Sequence, residues 1–319
     1  MARRRWGIIA FLICLCLCFG PCHAFGASTA DARGPISLDR TCTITINYGY
    51  DGVPFEDVTV ALYKIATVSS DAQYSLTENF RVSGLVLNGV QTNGEWNVIR
   101  STLEANIVAN NIEPEAVMAT NQRGQVTYEG LEPGLYLAIA GQAVQEDVTC
   151  VFASALVALP DIDEEGYWHY EVEVTAKAEV LPPVDPDEEL ELKVIKLWKG
   201  ETDQGKRPNS VEVEVFRDGV SYDKITLSAE KNWSYSWIVP DDGAKWIVVE
   251  RNVPEGYTAT IEEKGTSFVL TNTLVADKPP VEPPKTGDTA NIWLYIILLY
   301  VSGIVLVLMG IMGRKRKNS

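Results

Sequence analysis

Alternating apolar and polar residues dominate the chain between residues 36 and 275. A period of two is that of a β-strand with one face buried and the other in water. One segment departs from this period, since Trp96, Ile99, Leu103 and Ile107 recur at helical spacing. The pattern predicts an all-β protein with one amphipathic helix inserted in its first half.

Two proline-rich acidic stretches, residues 181–189 and residues 276–286, interrupt this pattern. Such sequences favour extended polyproline II and act as stiff spacers. They leave a first domain of residues 36–180 and a second of residues 190–275, each of a size usual for one folded core. The sequence predicts two β-sandwich domains in tandem.

Longer apolar runs lie near both ends of the chain. Residues 292–312 are long enough to span a bilayer, and the basic tail of residues 313–319 places that end in the cytoplasm. Residues 1–24 combine an arginine cluster, an apolar stretch and a small-residue cleavage site, as signal peptides do. The residues between these ends are therefore expected outside the cell.

The net charge of the chain limits the kinds of partner that the protein can bind. The formal net charge is −16, although both ends of the chain are basic, so the extracellular part is strongly acidic. An acidic surface repels nucleic acid and anionic membranes. We therefore expect no nucleic-acid partner.

Four of the six cysteines lie within residues 1–24, which leaves Cys42 and Cys150. Strand alternation turns both thiols toward the core of the first domain. Two thiolates alone do not complete a metal shell, whereas exported proteins commonly form disulfides. We predict a Cys42–Cys150 disulfide, with two buried free thiols as the alternative.

Three polar residues interrupt apolar rows of the second domain. Lys196 lies in the inward row of its first strand, Glu250 ends another such row, and Asn272 interrupts the row of its last strand. A buried polar group without a partner costs several kcal/mol. We therefore expect these three side chains to meet.

Their meeting makes a reaction possible. Burial disfavours the charged forms of a lysine and a glutamic acid. A neutral Lys196 amine can attack the Asn272 carboxamide carbon while the Glu250 acid polarises its oxygen and shuttles protons. Ammonia leaves, and an isopeptide bond joins the first and last strands.

The second domain resembles the Cna-B repeat of Gram-positive adhesins and pilins. The matching segments are Val194–Trp198, Gln204–Pro208, Asn232–Tyr235, Glu250–Tyr257 with the spacing of the pilin E-box, and Leu270–Thr273. The resemblance implies a Cna-B-like or immunoglobulin-like sandwich in which Lys196 and Asn272 are bonded and Glu250 is the catalytic acid. The alternative is the same fold without the bond.

The first domain resembles the amino-terminal domain of Gram-positive pilins through residues 57–64, 130–137 and 155–160. Polymerising pilins carry a lysine that sortase joins to the next subunit. Lys177 occupies that position, although Ala176 stands where proline is usual. The resemblance makes Lys177 a candidate polymerisation lysine and leaves its use open.

The segment before the apolar run resembles the Leu-Pro-x-Thr-Gly sorting signal of Gram-positive surface proteins. Its residues are Pro284, Lys285, Thr286, Gly287 and Asp288. The resemblance implies that sortase cuts between Thr286 and Gly287 and transfers the threonine carbonyl to peptidoglycan or to another pilin. Pro283 replaces the usual leucine, so the sortase class stays open. A permanent single-pass membrane protein is the alternative.

Other chemistry has little support in the sequence. His169 is the sole histidine outside residues 1–24, and no Gly-x-Ser-x-Gly motif occurs. Residues 161–166 begin like a calcium loop, but Val172 at its twelfth position lies in a strand pattern, which indicates a solvated turn. We expect neither metal nor cofactor.

The sequence is therefore interpreted as a cell-wall-anchored, pilin-like minor subunit that serves surface attachment. Its partners are sortase and either peptidoglycan or other subunits, and its chemistry is self-directed rather than enzymatic. A stand-alone adhesin that never polymerises is the first alternative. An anchored hydrolase or small-ligand-binding protein is the second.

Overall fold

The computed structural model describes residues 34–81, 84–145, 148–181, 188–200 and 207–275. Strands make up most of this part of the chain, which confirms the all-β class. The predicted signal peptide, the sorting motif, the apolar run 292–312 and the basic tail lie outside the described residues. Within the described ranges, no helix is long and apolar enough to cross a membrane.

The first domain consists mainly of short strands. They are β1 (Cys42–Asn47), β2 (Gly49–Tyr50), β3 (Val53–Pro54), β4 (Thr59–Val68), β5 (Tyr74–Leu76), β6 (Ala116–Ala119), β7 (Gln125–Leu131), β8 (Gly134–Ala140), β9 (Ala143–Gln145), β10 (Val148–Phe152), β11 (Ala155–Leu159), β12 (Asp161–Ile162), β13 (Trp168–His169), β14 (Glu171–Thr175) and β15 (Ala178–Leu181). Two helices, α1 (Glu78–Arg81) and α2 (Asn93–Asn110), lie between β5 and β6.

Three sheets enclose the core of this domain. Their strand orders are β14-β1-β7, β15-β10-β9 and β11-β8-β4-β5, with β6 also paired to β4. β1 runs parallel to β14 and antiparallel to β7. Alternate residues of β1 are buried, because the strand turns Cys42, Ile44 and Ile46 inward.

Helix α2 forms where the helical spacing predicts it. Its N-terminus has a capping box, in which Thr92 Oγ1 accepts from the Glu95 amide at 3.2 Å and Glu95 Oε2 accepts from the Thr92 amide at 2.9 Å. Ile99, Leu103 and Ile107 are buried in a core cluster that they share with residues of β4 and β8. Burial of this apolar face holds the helix on the sheet.

The second domain is a two-sheet sandwich. Its strands are β16 (Glu189–Lys199), β17 (Ser210–Arg217), β18 (Val220–Ser228), β19 (Ser234–Pro240), β20 (Trp246–Glu250), β21 (Tyr257–Lys264) and β22 (Ser267–Leu274), with a 3₁₀ turn at Ala229–Lys231. One sheet has the order β19-β16-β22-β21 and the other the order β18-β17-β20. The first and last strands, β16 and β22, are parallel neighbours.

The two domains are in contact through α2. Thr102 and Ala105 lie on the side of this helix that faces the second domain, and Ala105 belongs to that domain's core cluster. Thr102 Oγ1 accepts a hydrogen bond from the Ile261 amide of β21 at 2.9 Å and donates one to the Val98 carbonyl at 2.7 Å. The hydrophobic pattern of the sequence does not predict this contact.

The predicted Cys42–Cys150 disulfide is not formed: both cysteines are free and buried. Strand register gives the reason. Thr43, next to Cys42, pairs with Glu171 of β14, whereas Cys150 pairs with Val180 of β15, which belongs to another sheet. A disulfide needs Cα atoms within about 7 Å, and two inward residues on different sheets need not meet that condition.

Candidate functional site

The structure brings Lys196, Glu250 and Asn272 together inside the second domain. Lys196 on β16 and Asn272 on β22 come from neighbouring strands of one sheet, and Glu250 comes from the end of β20 in the facing sheet. Their exposed fractions are 3%, 6% and 0%. Three polar side chains thus meet in the core, as the interrupted apolar rows predicted.

The parallel register explains why the lysine and the asparagine are neighbours. Lys196 pairs with Leu270, and Trp198 pairs with Asn272. Lys196 and Asn272 therefore project from the same face of the sheet at adjacent inward positions. Both point toward β20, which supplies the carboxylate.

Glu250 contacts both partners. Its Oε2 lies 2.9 Å from Lys196 Nζ, and its Oε1 accepts a hydrogen bond from Asn272 Nδ2 at 2.8 Å. The 2.9 Å approach is that of an ion pair between the Lys196 amine and the Glu250 carboxyl group. One carboxyl group therefore holds the amine and the carboxamide beside each other.

The surroundings favour a reactive amine. Burial lowers the pKa of Lys196, and the nearby Glu250 carboxylate opposes that shift without cancelling it. The Asn272 Oδ1 atom is buried without a hydrogen-bond partner among the described residues. A buried orphan oxygen costs about 1–3 kcal/mol, so the unreacted arrangement is destabilised.

Aromatic rings enclose the amine. Lys196 Nζ lies 4.8 Å from the centre of the Trp198 ring. Trp233 and Tyr257 each pack edge-on against Trp198, with ring centres 5.2 Å apart. Such rings keep water from the site and help to maintain its low polarity.

Together these features allow one chemical step. The neutral amine can add to the Asn272 carboxamide carbon, with Glu250 positioned to exchange protons with both nitrogens. Lys–NH₂ and Asn–CO–NH₂ then become Lys–NH–CO–Asn and NH₃, so atoms and charge balance.

The comparison with known families addresses the same domain. Residues 192–273 match the family model described as the Cna protein B-type domain. The match lies wholly within the second domain. A curated relative, the collagen adhesin of Staphylococcus aureus, is 32% identical over 105 residues, which cover 30% of this chain and 9% of the adhesin. This chain therefore spans a small part of that relative's length.

Several solved structures are similar to the chain at low scores. The full-length major pilin SpaD of Corynebacterium diphtheriae is 13% identical and covers 76% of this chain and 100% of its own, with a TM-score of 0.30. The minor pilin GBS52 of Streptococcus agalactiae is 16% identical, with coverage of 76% and 100% and a TM-score of 0.21.

Lys177 lies outside the matched residues 192–273, between β14 and β15, and is exposed. The backbone around it is fixed, since the Ala176 amide donates to the Asn47 carbonyl and the Lys177 carbonyl accepts from the Ala153 amide, both at 2.9 Å. The lysine therefore projects from an ordered sheet edge into solvent. Its use in polymerisation stays a prediction.

The segment that begins like a calcium loop is a turn. Asp163 Oδ1 accepts from the amides of Glu165 and Tyr167, at 3.0 and 2.8 Å. Its Oδ2 lies 2.6 Å from His169 Nε2. Both carboxylate oxygens are thus occupied within the turn, and the described ranges contain no group of three or more acidic, histidine or cysteine residues placed to hold a metal ion.

Proposed function

We propose that the protein is a pilin-like structural subunit of a Gram-positive cell surface, and that its Cna B-type domain closes a Lys196–Asn272 isopeptide bond. The observation that carries this proposal is the buried carboxyl group of Glu250, which contacts the amine and the carboxamide at once. Polar side chains that are buried in a core almost always have a hydrogen-bond partner, so three of them in contact are expected to interact.

In the proposed reaction the Lys196 amine attacks the Asn272 side-chain carbonyl carbon. Glu250, which contacts both nitrogens, takes a proton from the attacking lysine nitrogen and passes it to the departing nitrogen. Ammonia is released and Glu250 returns to its starting protonation state, so it is not consumed. The reaction acts within the chain and uses no other substrate.

The bond has a mechanical role in this proposal. It joins β16 to β22, the strands that connect the domain to the rest of the chain. A force along the chain then passes from Lys196 to Asn272 without extending the residues between them. Such a tie suits a surface fibre that is exposed to shear and to proteases.

The proposed anchoring uses the sorting motif, in which sortase cuts between Thr286 and Gly287 and passes Thr286 to peptidoglycan or to another subunit. The support is the order of motif, apolar run and basic tail in the sequence. The precursor is proposed to be exported through its signal peptide and held briefly by residues 292–312.

A stand-alone adhesin that does not polymerise is the second candidate. Ala176 favours it, because polymerising pilins have proline before the linking lysine. Wall extracts of cells that carry the wild type and a Lys177→Ala variant separate the two. Covalent ladders that vanish in the variant support polymerisation, whereas a single wall-bound species in both supports the adhesin.

The isopeptide bond is tested by the intact mass of purified residues 25–286, beside an Asn272→Ala variant. We expect the wild type to be about 17 Da lighter than its sequence requires and the variant to have its full mass, because one ammonia is lost per bond. A wild type of full mass contradicts the proposed chemistry. That result would favour the alternatives of an anchored hydrolase or a small-ligand-binding protein.

A further inference from the structure

Strand β20, which carries Glu250, is attached to α2 of the first domain at both of its flanks. Lys245 immediately precedes the strand, and its Nζ lies 2.8 Å from Glu104 Oε2 of α2. Arg251 immediately follows the strand, and its Nη1 donates to the Ala109 carbonyl of α2 at 2.9 Å. One helix therefore restrains both ends of this strand.

Arg251 is held firmly within its own domain as well. Its Nε donates to the Glu214 carboxylate of β17, and its backbone amide donates to the Glu212 carbonyl at 3.1 Å. The guanidinium lies 5.4 Å from the centre of the Phe216 ring. Charged hydrogen bonds and ring contacts of this kind fix the orientation of an arginine.

The contact with Arg251 provides a hydrogen-bond donor and a positive charge at the C-terminal end of α2. The last four carbonyl groups of a helix lack partners within it, and they form the negative end of its dipole. Helix α2 has no basic residue in its last turn. The second domain supplies the missing cation through Arg251, so the contact is specific rather than incidental.

Glu250 is sensitive to small shifts because it ends its strand. Its two carboxyl oxygens must reach partners at 2.9 Å and 2.8 Å on another sheet. A displacement of about 1 Å can slow a reaction roughly 100-fold when it moves a reacting group out of alignment. Arg251, the next residue, is the nearest point at which the chain beyond the strand is fixed.

We propose that Arg251 is a positioning residue for the Lys196–Asn272 reaction. By fastening the end of β20 to α2, it holds Glu250 against both partners, so that the bond forms efficiently only after the first domain has folded and docked. This inference rests on the proposed isopeptide chemistry. The first domain also precedes the second in the chain, so it is the first to be synthesised.

The test follows bond formation in newly made protein. Residues 25–286 are synthesised in a cell-free system, synthesis is stopped, and samples are denatured at intervals for intact mass. The rate is that at which the form about 17 Da lighter accumulates. We expect Arg251→Ala to slow this rate about tenfold and Arg251→Lys to restore part of it. A lysine keeps the positive charge but lacks the guanidinium group, through which Arg251 donates to both Glu214 and the Ala109 carbonyl.

Arg217→Ala is the matched control. Arg217 lies at the other end of the same strand pair, where it pairs with Trp246 and contacts Asp242. The substitution Arg217→Ala removes the same side-chain atoms as Arg251→Ala. Among the contacts that the described residues show, Arg217 makes none with α2. We expect its rate to equal that of the wild type.

Ala105→Gln tests the part played by docking. Ala105 is buried against the second domain, so a larger polar side chain there displaces α2 without changing Arg251. We expect slowing similar to that of Arg251→Ala. Circular dichroism of each variant checks that its strands and helix are present.

The outcomes are distinct. Folded Arg251→Ala protein that reacts at the wild-type rate overturns the inference. A slow Arg251→Ala with a normal Ala105→Gln shows that Arg251 acts through Glu214 alone, which refutes the role of the first domain. A wild type without any mass loss refutes the isopeptide chemistry itself, and the inference with it.

Discussion

Glu250→Gln removes the acid from the buried site with almost no change in shape. Glutamine keeps the volume of the side chain and can still accept a hydrogen bond from Asn272 Nδ2. It cannot carry a proton between the lysine and the carboxamide. We therefore expect the variant to fold but to retain its full mass.

The loss of stability follows from the loop that the bond closes. Lys196 and Asn272 are about 76 residues apart in sequence, and a cross-link over such a loop lowers the entropy of the unfolded chain by an amount worth about 4.5 kcal/mol at 25 °C. For a domain of this size, each kcal/mol shifts the Tm by about 4–8 °C. The variant is therefore expected to melt roughly 20–35 °C below the wild type.

Calorimetry and intact mass on the same samples measure both effects. Glu212→Gln, on the neighbouring strand β17 with its side chain exposed, is the matched control and should change neither quantity. A Glu250→Gln protein that still loses about 17 Da refutes the catalytic role of the acid. A full-mass variant that melts within a few degrees of a cross-linked wild type refutes the entropic argument.

Three further predictions concern the first domain and its contact with the second. Burial raises the pKa of Cys42 to about 11 and also raises that of Cys150, so neither thiol should react with iodoacetamide at pH 8 until the protein unfolds, when both should react. Burial alone raises the pKa of Glu104, but Lys245 and its other polar neighbours hold it below its usual value. Its stabilising effect is therefore complete above about pH 4.3 and is lost as the pH falls through the folded pKa, so the difference in Tm between wild type and Glu104→Gln should shrink in acid. Thr92→Ala removes the cap of α2 and should cost about 1 kcal/mol in chemical denaturation.

The candidate site could be predicted because it depends on which face of a strand each residue occupies. Lys196, Glu250 and Asn272 each stood in a row of inward apolar residues, and a period of two assigns the face with little ambiguity. The cost of isolated polar groups in a core then required them to meet. The distances between these three side chains depend on strand register and on the spacing of the two sheets. Alternation predicts neither quantity.

Strand alternation predicts that the two cysteines are buried but not whether they are close. Alternation placed Cys42 and Cys150 in the core correctly, and both are buried. It does not say which sheet or which position along it each residue takes, and the two cysteines lie in different sheets, that of β14 and that of β15. An inward direction is therefore necessary for a disulfide but does not establish that two thiols are close.

The hydrophobic residues of helix α2 predict only one of the two faces through which it packs. Ile99, Leu103 and Ile107 predicted the face that packs on the first domain. The face toward the second domain carries Thr102 and Ala105, small residues that allow close approach but contribute little to a hydrophobic stripe. Small residues at helical spacing on the opposite side were the available signal, and it is a weak one without a known partner.

The position of Lys177 gives the arrangement of the two domains a mechanical meaning under the proposed function. If the next subunit is joined at Lys177, tension enters between β14 and β15 and passes through the linker into β16. Most of the first domain then lies outside the load path, which fits its lack of a covalent tie between strands in the described residues. The second domain lies wholly within that path, and β16 and β22 are parallel, so tension from the start of one to the end of the other loads their hydrogen bonds in shear.

Without the bond, unfolding of the second domain releases the residues between Lys196 and Asn272, an extension of about 250 Å. Pulling single molecules between residue 177 and residue 275 should therefore show a step of about that length in Asn272→Ala and none in the wild type. A wild type that shows the same step lacks the tie, whatever its melting temperature. A variant that shows no step at the same force indicates that docking against α2, rather than the isopeptide bond, resists extension.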